Sequence, residues 1–298
     1  MNPEDAPGPS LPMAEGDWGT QSSDPHRAPA PLGRYFLGVA ITVLAIVSQY
    51  FVPQLFPAAD ILYGNLPGDV FIVYGIPIIA FALLVGGAPL RDWGNRMRVA
   101  SWQGLRFYGL LTLLAILVVL VLTVIYEAVD PAALQLLNRP NPALQQASGD
   151  PWFFVGFSFV VGAFEETIFR GFMFGYWRDR SGPWMVPAVW TSVVFAGVHL
   201  YYGTTYGIAA PLIFPSLFLM GFAFAATYRY SRGNIVVPAV LHGAHDAAAF
   251  LGVVSYGWGI VGLVLTYLIV LVGALIGLVE YLRPGPPVLP PVAPPPFP

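Results

Sequence analysis

The sequence predicts an all-α membrane protein, a bundle of about eight transmembrane helices. Its 298 residues are 56% hydrophobic and only 10% charged, and the mean hydropathy is +0.67. A soluble domain carries roughly 25% charged residues, so this chain cannot cover itself with a polar surface in water. The apolar residues form long runs without the alternating polarity of a membrane β-barrel strand. Both observations favour helices that cross a bilayer.

Eight apolar stretches define the expected helices, and each is close to the ~20 residues that a helix needs to cross the hydrocarbon core. They are apolar on most faces, as expected of helices surrounded by lipid and by one another. Pro211 and Pro215 predict a kink in the sixth stretch. The stretches are residues 35–52, 70–89, 104–126, 152–177, 183–202, 208–228, 235–253 and 259–281.

The two ends of the chain differ in composition from this helical domain, which we place at residues 34–282. Residues 1–33 are polar, rich in Pro, Gly, Ser and acidic residues, and have no apolar run or basic start typical of a signal peptide. We expect them to form a disordered tail. The Pro-rich residues 283–298 predict polyproline II or disorder.

Arginine placement predicts the orientation, because cytoplasmic connections of membrane proteins carry the excess of basic residues. With the N-terminus inside, eleven of the thirteen arginines fall on the inner side, Arg139 falls outside, and Arg170 lies within the fourth stretch. We therefore expect a multi-pass protein of the cell membrane with both termini in the cytoplasm. The expected partners are membrane lipid and a membrane-associated peptide or protein. The net charge of −3 gives no indication of a nucleic-acid partner, and the absence of cysteine excludes thiol chemistry and disulfides.

Seven ionisable residues lie deep in these stretches, where each costs about 2.5–3.5 kcal/mol on insertion scales. They occupy only three stretches, which indicates a shared polar cavity rather than scattered packing contacts. Each has a purely structural alternative, such as an internal ion pair or a hydrogen-bonded core histidine. The seven are Glu165, Glu166 and Arg170 in the fourth stretch, His199 in the fifth, and His242, His245 and Asp246 in the seventh.

Helical spacing groups these residues further. Glu166 and Arg170 are four residues apart and share a helix face, as do His242 and Asp246. Counted from the inner membrane edge at ~1.5 Å per residue, Glu165 lies roughly 18 Å deep, His199 roughly 24 Å and His242 roughly 11 Å. These unequal depths require tilted helices or shifted helix boundaries if the three side chains are to meet.

Three motifs resemble those of one family of membrane proteins. They are Glu-Glu-x-x-x-Arg at residues 165–170, Phe-x-x-x-His at residues 195–199 and His-x-x-x-Asp at residues 242–246. Their order and spacing resemble the CPBP family, which contains the CAAX prenyl endopeptidases and bacterial proteins related to bacteriocin processing and immunity. The resemblance covers roughly residues 150–255. The third motif usually ends in Asn, and Asp246 departs from this pattern.

The resemblance implies an intramembrane endopeptidase whose catalytic residues are Glu165, Glu166, Arg170, His199, His242 and Asp246. Glu165 would act as general base on a water that His199 helps to hold, Arg170 would balance Glu166, and His242 would donate a hydrogen bond to the oxyanion. An ionised Asp246 cannot donate such a bond. It is therefore either protonated or orients His242. His245 has no expected role in catalysis.

Three questions remain open from the sequence. Zinc is possible, with Glu165, His199 and His242 as its ligands, although there is no His-Glu-x-x-His motif and we favour water activation without a metal. A non-catalytic scaffold or immunity protein is the alternative function. A proton-coupled transporter is a third possibility, because buried carboxylates and histidines also build proton relays.

Overall fold

A computed structural model describes most of the helical domain. The described residues are 30–56, 66–90, 151–178, 184–200, 210–231, 233–254 and 256–282, together with seven single positions between 106 and 121. The two predicted tails lie outside these residues, apart from the four residues before 34, and so does Arg139. The first helix begins at Leu32, two residues before the predicted domain boundary.

The described chain is helical, and seven helices fall on seven of the eight predicted stretches. Single positions of the third stretch, among them Arg106, Leu113 and Val121, are also helical, and the rest of that stretch lies outside the described residues. The described residues form no strand, so the predicted all-α membrane bundle is confirmed. The helices are α1 (Leu32–Leu55), α2 (Leu66–Val70, Phe71–Gly75 and Ile76–Leu84), α3 (Pro151–Glu166, Thr167–Phe174 and Gly175–Arg178), α4 (Met185–Val198), α5 (Ala210–Tyr230), α6 (Val236–Val254) and α7 (Tyr256–Leu282).

Four of these helices are long and apolar enough to cross a membrane. They correspond to α1, α2, α3 and α7, and α4 is a shorter apolar helix of the same character. Pro215 lies within α5, and the helix continues on both sides of it. Pro211 stands in the first turn of α5, where proline is tolerated because its missing N–H has no helical partner.

Close backbone contact joins α3 to α6. A Cβ atom at Gly162 would lie 2.6 Å from the backbone nitrogen of Gly243, and one at Gly243 would lie 2.6 Å from the Cα of Phe159. Only glycine fits at these two positions. Small residues of this kind let helices in lipid approach closely, since no hydrophobic force drives them together there. The contact holds the two helices that carry most of the ionisable residues side by side.

The hairpin of α1 and α2 packs against the other face of α3 through aromatic side chains. Phe81 stacks on Phe172 with ring centroids 5.4 Å apart, and Tyr35 stacks on Tyr176 at 4.3 Å. The Tyr176 hydroxyl also donates to the carbonyl of Ala30 at 2.9 Å. These contacts place α2 next to the part of α3 that carries the ionisable residues.

Two contacts join the start of one helix to the end of another. The start of α1 meets the end of α3 through Ala30 and Tyr176. The start of α4 meets the end of α5, where the Arg229 guanidinium lies 4.5 Å from the Trp184 ring centroid. Arg229, which was expected on the inner side, therefore stands at an end shared by two helices of opposite direction. The side of the membrane that this end faces stays a prediction.

Candidate active site

Helix α3 changes its winding where its ionisable residues lie. The segment Thr167–Phe174 is π-helical and begins directly after Glu166. Such segments are rare and are frequent at functional sites. Glu165, Glu166 and Arg170 are all buried, with 7%, 0% and 0% of their surfaces exposed. The helix thus carries three ionisable groups into the interior within six residues.

The predicted pairing of Glu166 with Arg170 is confirmed. Nη1 of Arg170 donates to Oε1 of Glu166 at 2.8 Å, and neither side chain is exposed. Nη2 of Arg170 donates to the carbonyl oxygen of Gly221 on α5 at 2.6 Å. The Phe195 and Phe224 rings lie 5.1 and 5.4 Å from the guanidinium carbon. These partners offset part of the cost of burying the two charged groups, and Nε of Arg170 and Oε2 of Glu166 are buried without a hydrogen-bond partner among the described residues.

His199 is the residue at which α4 ends. Its backbone N–H turns back to the carbonyls of Ala196 and Gly197, and its Nδ1 lies 2.7 Å from the carbonyl oxygen of Phe195. A carbonyl can only accept, so Nδ1 carries the proton and donates. This bond satisfies one of the carbonyls that a helix end leaves without a partner. Nε2 is left to face Glu165.

His242 is held in place by Glu166 of α3 through its Nδ1 atom. Nδ1 lies 2.9 Å from Oε1 of Glu166, the same oxygen that accepts from Arg170. The Phe224 ring stacks on the imidazole with centroids 4.7 Å apart. His242 is 3% exposed, so ring rotation is restricted by packing as well as by the hydrogen bond. Its Nε2 atom is therefore aimed at Glu165.

Oε2 of Glu165 is the point on which the site converges. It lies 3.8 Å from Nε2 of His199 and 3.8 Å from Nε2 of His242. These distances are too long for direct hydrogen bonds. They are short enough for one water to bridge the three groups. The predicted meeting of three helices is correct. The depths counted along the sequence were misleading, because the count assumed parallel helices that all begin at the same depth in the membrane.

The remaining two predicted groups differ in their relation to this centre. Oδ2 of Asp246 lies 3.6 Å from Nε2 of His242, outside hydrogen-bond distance, and its side chain is 30% exposed. The side chain of His199 is 12% exposed. The site is therefore most open beside Asp246. Nδ1 of His245 is buried without a hydrogen-bond partner among the described residues. His245 makes no described contact with Glu165 or Glu166.

Sequence reasoning missed three contributors. Tyr74 on α2 donates its hydroxyl proton to Oε1 of Glu165 at 3.3 Å. Phe224 and the Gly221 carbonyl, both on α5, contact His242 and Arg170. A tyrosine within an apolar span offers one signal, since a buried hydroxyl requires a partner. The sequence gives no comparable signal for a backbone carbonyl or a phenylalanine among many.

The possible metal ligands are Glu165, His199 and His242. Within the part of the chain that the structure describes, no set of three or more His, Asp or Glu residues is arranged to hold a metal ion. Ligands of a tetrahedral zinc at 2.0–2.2 Å would stand roughly 3.4 Å apart. The separations of 3.8 Å from Oε2 of Glu165 to the two histidines are wider than that. The predicted zinc ligands therefore meet at Oε2 of Glu165, and whether a metal binds there stays a prediction.

Part of the chain matches a known protein family. Residues 147–248 match the family described as Rce1-like, type II CAAX prenyl endopeptidase Rce1-like. This segment covers about a third of the chain and contains all three motifs. The family resemblance drawn from those motifs is thus confirmed over this segment. No curated protein and no solved structure matches the chain.

Proposed function

We propose that this integral membrane protein, whose residues 147–248 match the type II CAAX prenyl endopeptidases, is an intramembrane endopeptidase that cleaves by a Glu/His-activated water. The observation that carries the proposal is the convergence of Glu165 with His199 and His242, each 3.8 Å from the same carboxylate oxygen. Three helices deliver these groups to a centre that is almost closed to solvent. A packed bundle has no need of such a costly arrangement.

The first step uses Glu165 as general base. A water between Oε2 of Glu165 and Nε2 of His199 loses its proton to the carboxylate as its oxygen attacks the peptide carbonyl. His199 accepts a hydrogen bond from that water, because its Nδ1 proton is committed to the Phe195 carbonyl. The captured proton then passes from Glu165 to the leaving amine. General bases of this kind contribute about 10²–10⁴-fold in rate.

His242 stabilises the negative charge that develops on the carbonyl oxygen. Its Nδ1 is occupied by Glu166, so the donor is the Nε2 proton of the protonated ring. Arg170 neutralises Glu166 at 2.8 Å, which leaves Glu165 as the carboxylate free to take a proton. Removal of one such oxyanion donor typically costs ~3 kcal/mol of transition-state stabilisation.

The substrate proposed is the peptide of a membrane-associated or lipidated protein, entering beside the partly exposed Asp246. The match to prenyl endopeptidases motivates a comparison between a farnesylated CAAX peptide and the same peptide without the lipid. Cleavage of the lipidated peptide alone would place prenyl recognition within the function. Equal cleavage of both would assign the enzyme a broader membrane-peptide specificity.

The decisive experiment compares wild-type protein with Glu165→Gln and His199→Ala in liposomes, with peptide cleavage followed by mass spectrometry. We expect both variants to lose at least about 100-fold in rate. Asp69→Asn, in the first turn of α2, makes the same carboxylate-to-amide change as a control. Undiminished cleavage by the Glu165→Gln protein would exclude this site. A folded wild-type protein that cleaves no peptide from a broad membrane-peptide library would favour the scaffold function.

Metal-independent water activation is part of the same proposal. Dialysis against a strong chelator is expected to leave cleavage unchanged, and zinc is not expected to copurify in stoichiometric amounts. Loss of activity that added zinc restores would instead assign Glu165, His199 and His242 as metal ligands.

A further inference from the structure

We infer that Tyr74 is a positioning residue for the Glu165 carboxylate, supplied by a helix that lies outside the segment matched to the protease family. The family match begins at residue 147, whereas Tyr74 belongs to α2. Its hydroxyl donates to Oε1 of Glu165 at 3.3 Å across 91 residues of sequence. The inference rests on the proposed function, in which Glu165 is the general base.

The hydrogen bond gives the two carboxylate oxygens of Glu165 different roles. Oε1 of Glu165 accepts the Tyr74 proton, while Oε2 faces His199 and His242 at 3.8 Å. A carboxylate that is held at one oxygen has less freedom to rotate. The other oxygen is thus kept directed at the position proposed for the attacking water. Positioning of this kind lowers the barrier without contact between the residue and the substrate.

Tyr74 is itself held firmly enough for this role. Its ring stacks on Phe164, the residue before Glu165, with centroids 5.4 Å apart and planes at 21°. It lies in the π-helical segment Phe71–Gly75. In the next part of α2, Ile76–Leu84, Phe81 stacks on Phe172 of α3. Two stacked pairs therefore join α2 to α3, and Tyr74 cannot turn away from Glu165 without losing its own stack on Phe164.

A Tyr74→Phe substitution tests the inference because it keeps the ring that stacks on Phe164 and removes only the hydroxyl. We expect kcat to fall about tenfold, the equivalent of ~1.4 kcal/mol, with KM unchanged. The matched control is Tyr176→Phe, which removes a hydroxyl that joins α3 to Ala30. That variant is expected to retain the wild-type kcat. Wild-type kcat in Tyr74→Phe, or an equal loss in both variants, would overturn the inference.

A second measurement does not depend on finding a substrate. The unfolding free energies of wild type, Tyr74→Phe, Glu165→Ala and the double variant form a thermodynamic cycle in detergent. We expect the two substitutions to be coupled, since each removes the same hydrogen bond. Additive effects would refute the contact. If the proposed function is wrong, the wild-type protein cleaves no peptide. The thermodynamic cycle then still shows whether the hydrogen bond between Tyr74 and Glu165 exists, so the two failures are distinguishable.

Discussion

Oε1 of Glu166 on α3 lies 2.9 Å from Nδ1 of His242 on α6. The same oxygen accepts from Arg170 at 2.8 Å. One buried carboxylate atom thus fixes both the cation that neutralises it and the imidazole of another helix. This relationship suggests a proposed role for the second glutamate of the motif that differs from that of the base. We expect Glu166 to keep His242 oriented toward Glu165.

The first prediction concerns Arg170. Arg170→Leu leaves Glu166 buried without its cation, and we expect the free energy of unfolding in detergent to fall by about 3–5 kcal/mol. Arg170→Leu combined with Glu166→Gln should recover part of this loss, because the carboxylate that lost its guanidinium is then replaced by a neutral amide. Arg34→Leu, at an exposed position of α1, is the control and should be close to wild type. Equal stability of the Arg170 and Arg34 variants would contradict the ion pair.

The second prediction separates two histidines of one helix. His242→Leu removes the proposed oxyanion donor and should lower kcat by about 10²–10³-fold. His245→Leu is the matched control, three residues further along α6, and should keep the rate near wild type. It removes a ring nitrogen that is buried without a described hydrogen bond, and replacing such a group by an apolar one is close to neutral or stabilising. A large loss of kcat in a folded His245→Leu protein would show that His245 also contributes to the active site.

The parts of this site that could be predicted from sequence are those that lipid makes costly. Charged groups within an apolar run are visible in the sequence, and their helical spacing gave the pairing of Glu166 with Arg170. The contacts across helices were not visible in the same way. Helix α2 is apolar on most faces, so hydropathy does not fix which face meets α3 or that Tyr74 reaches Glu165. Nor does spacing show where a helix changes to π geometry.

The Glu166–His242 contact was also beyond sequence reasoning, although both residues were identified. The sequence offered Asp246, four residues away on the same helix, as the partner that orients His242. The structure has Oδ2 of Asp246 at 3.6 Å from Nε2, while Nδ1 is bound by Glu166. Partners on one helix can be found from periodicity. A partner on another helix depends on the crossing at Gly162 and Gly243, which is set by packing.

The third prediction tests that crossing. Gly243→Ala places a Cβ 2.6 Å from the Cα of Phe159 and 3.0 Å from the Ser158 carbonyl oxygen, both backbone atoms that cannot turn aside. We expect stability to fall by about 1–3 kcal/mol and the cleavage rate to fall with it, because α6 must move away with His242. Gly156→Ala on α3 is the control, since a Cβ there meets nothing within 4 Å. Full activity and stability in Gly243→Ala would disprove the close contact.

The fourth prediction addresses the residue that departs from the family pattern. Asp246→Asn should retain cleavage, because Glu166 rather than Asp246 holds the His242 ring through Nδ1. The Asn amide can also donate a hydrogen bond, which an ionised Asp cannot. With a side chain 30% exposed beside Nε2 of His242, the new amide faces the open part of the site and can add a donor for the oxyanion. The kcat of the variant should therefore equal or exceed that of wild type, with unchanged thermal stability.

Asp246→Leu, which removes both the charge and any donor, is the comparison that isolates the polar contribution. If Asp246→Asn abolishes cleavage in a stably folded protein while His242 remains in place, the negative charge at this position is itself required. In that case His242 would depend on two carboxylates, one at each ring nitrogen.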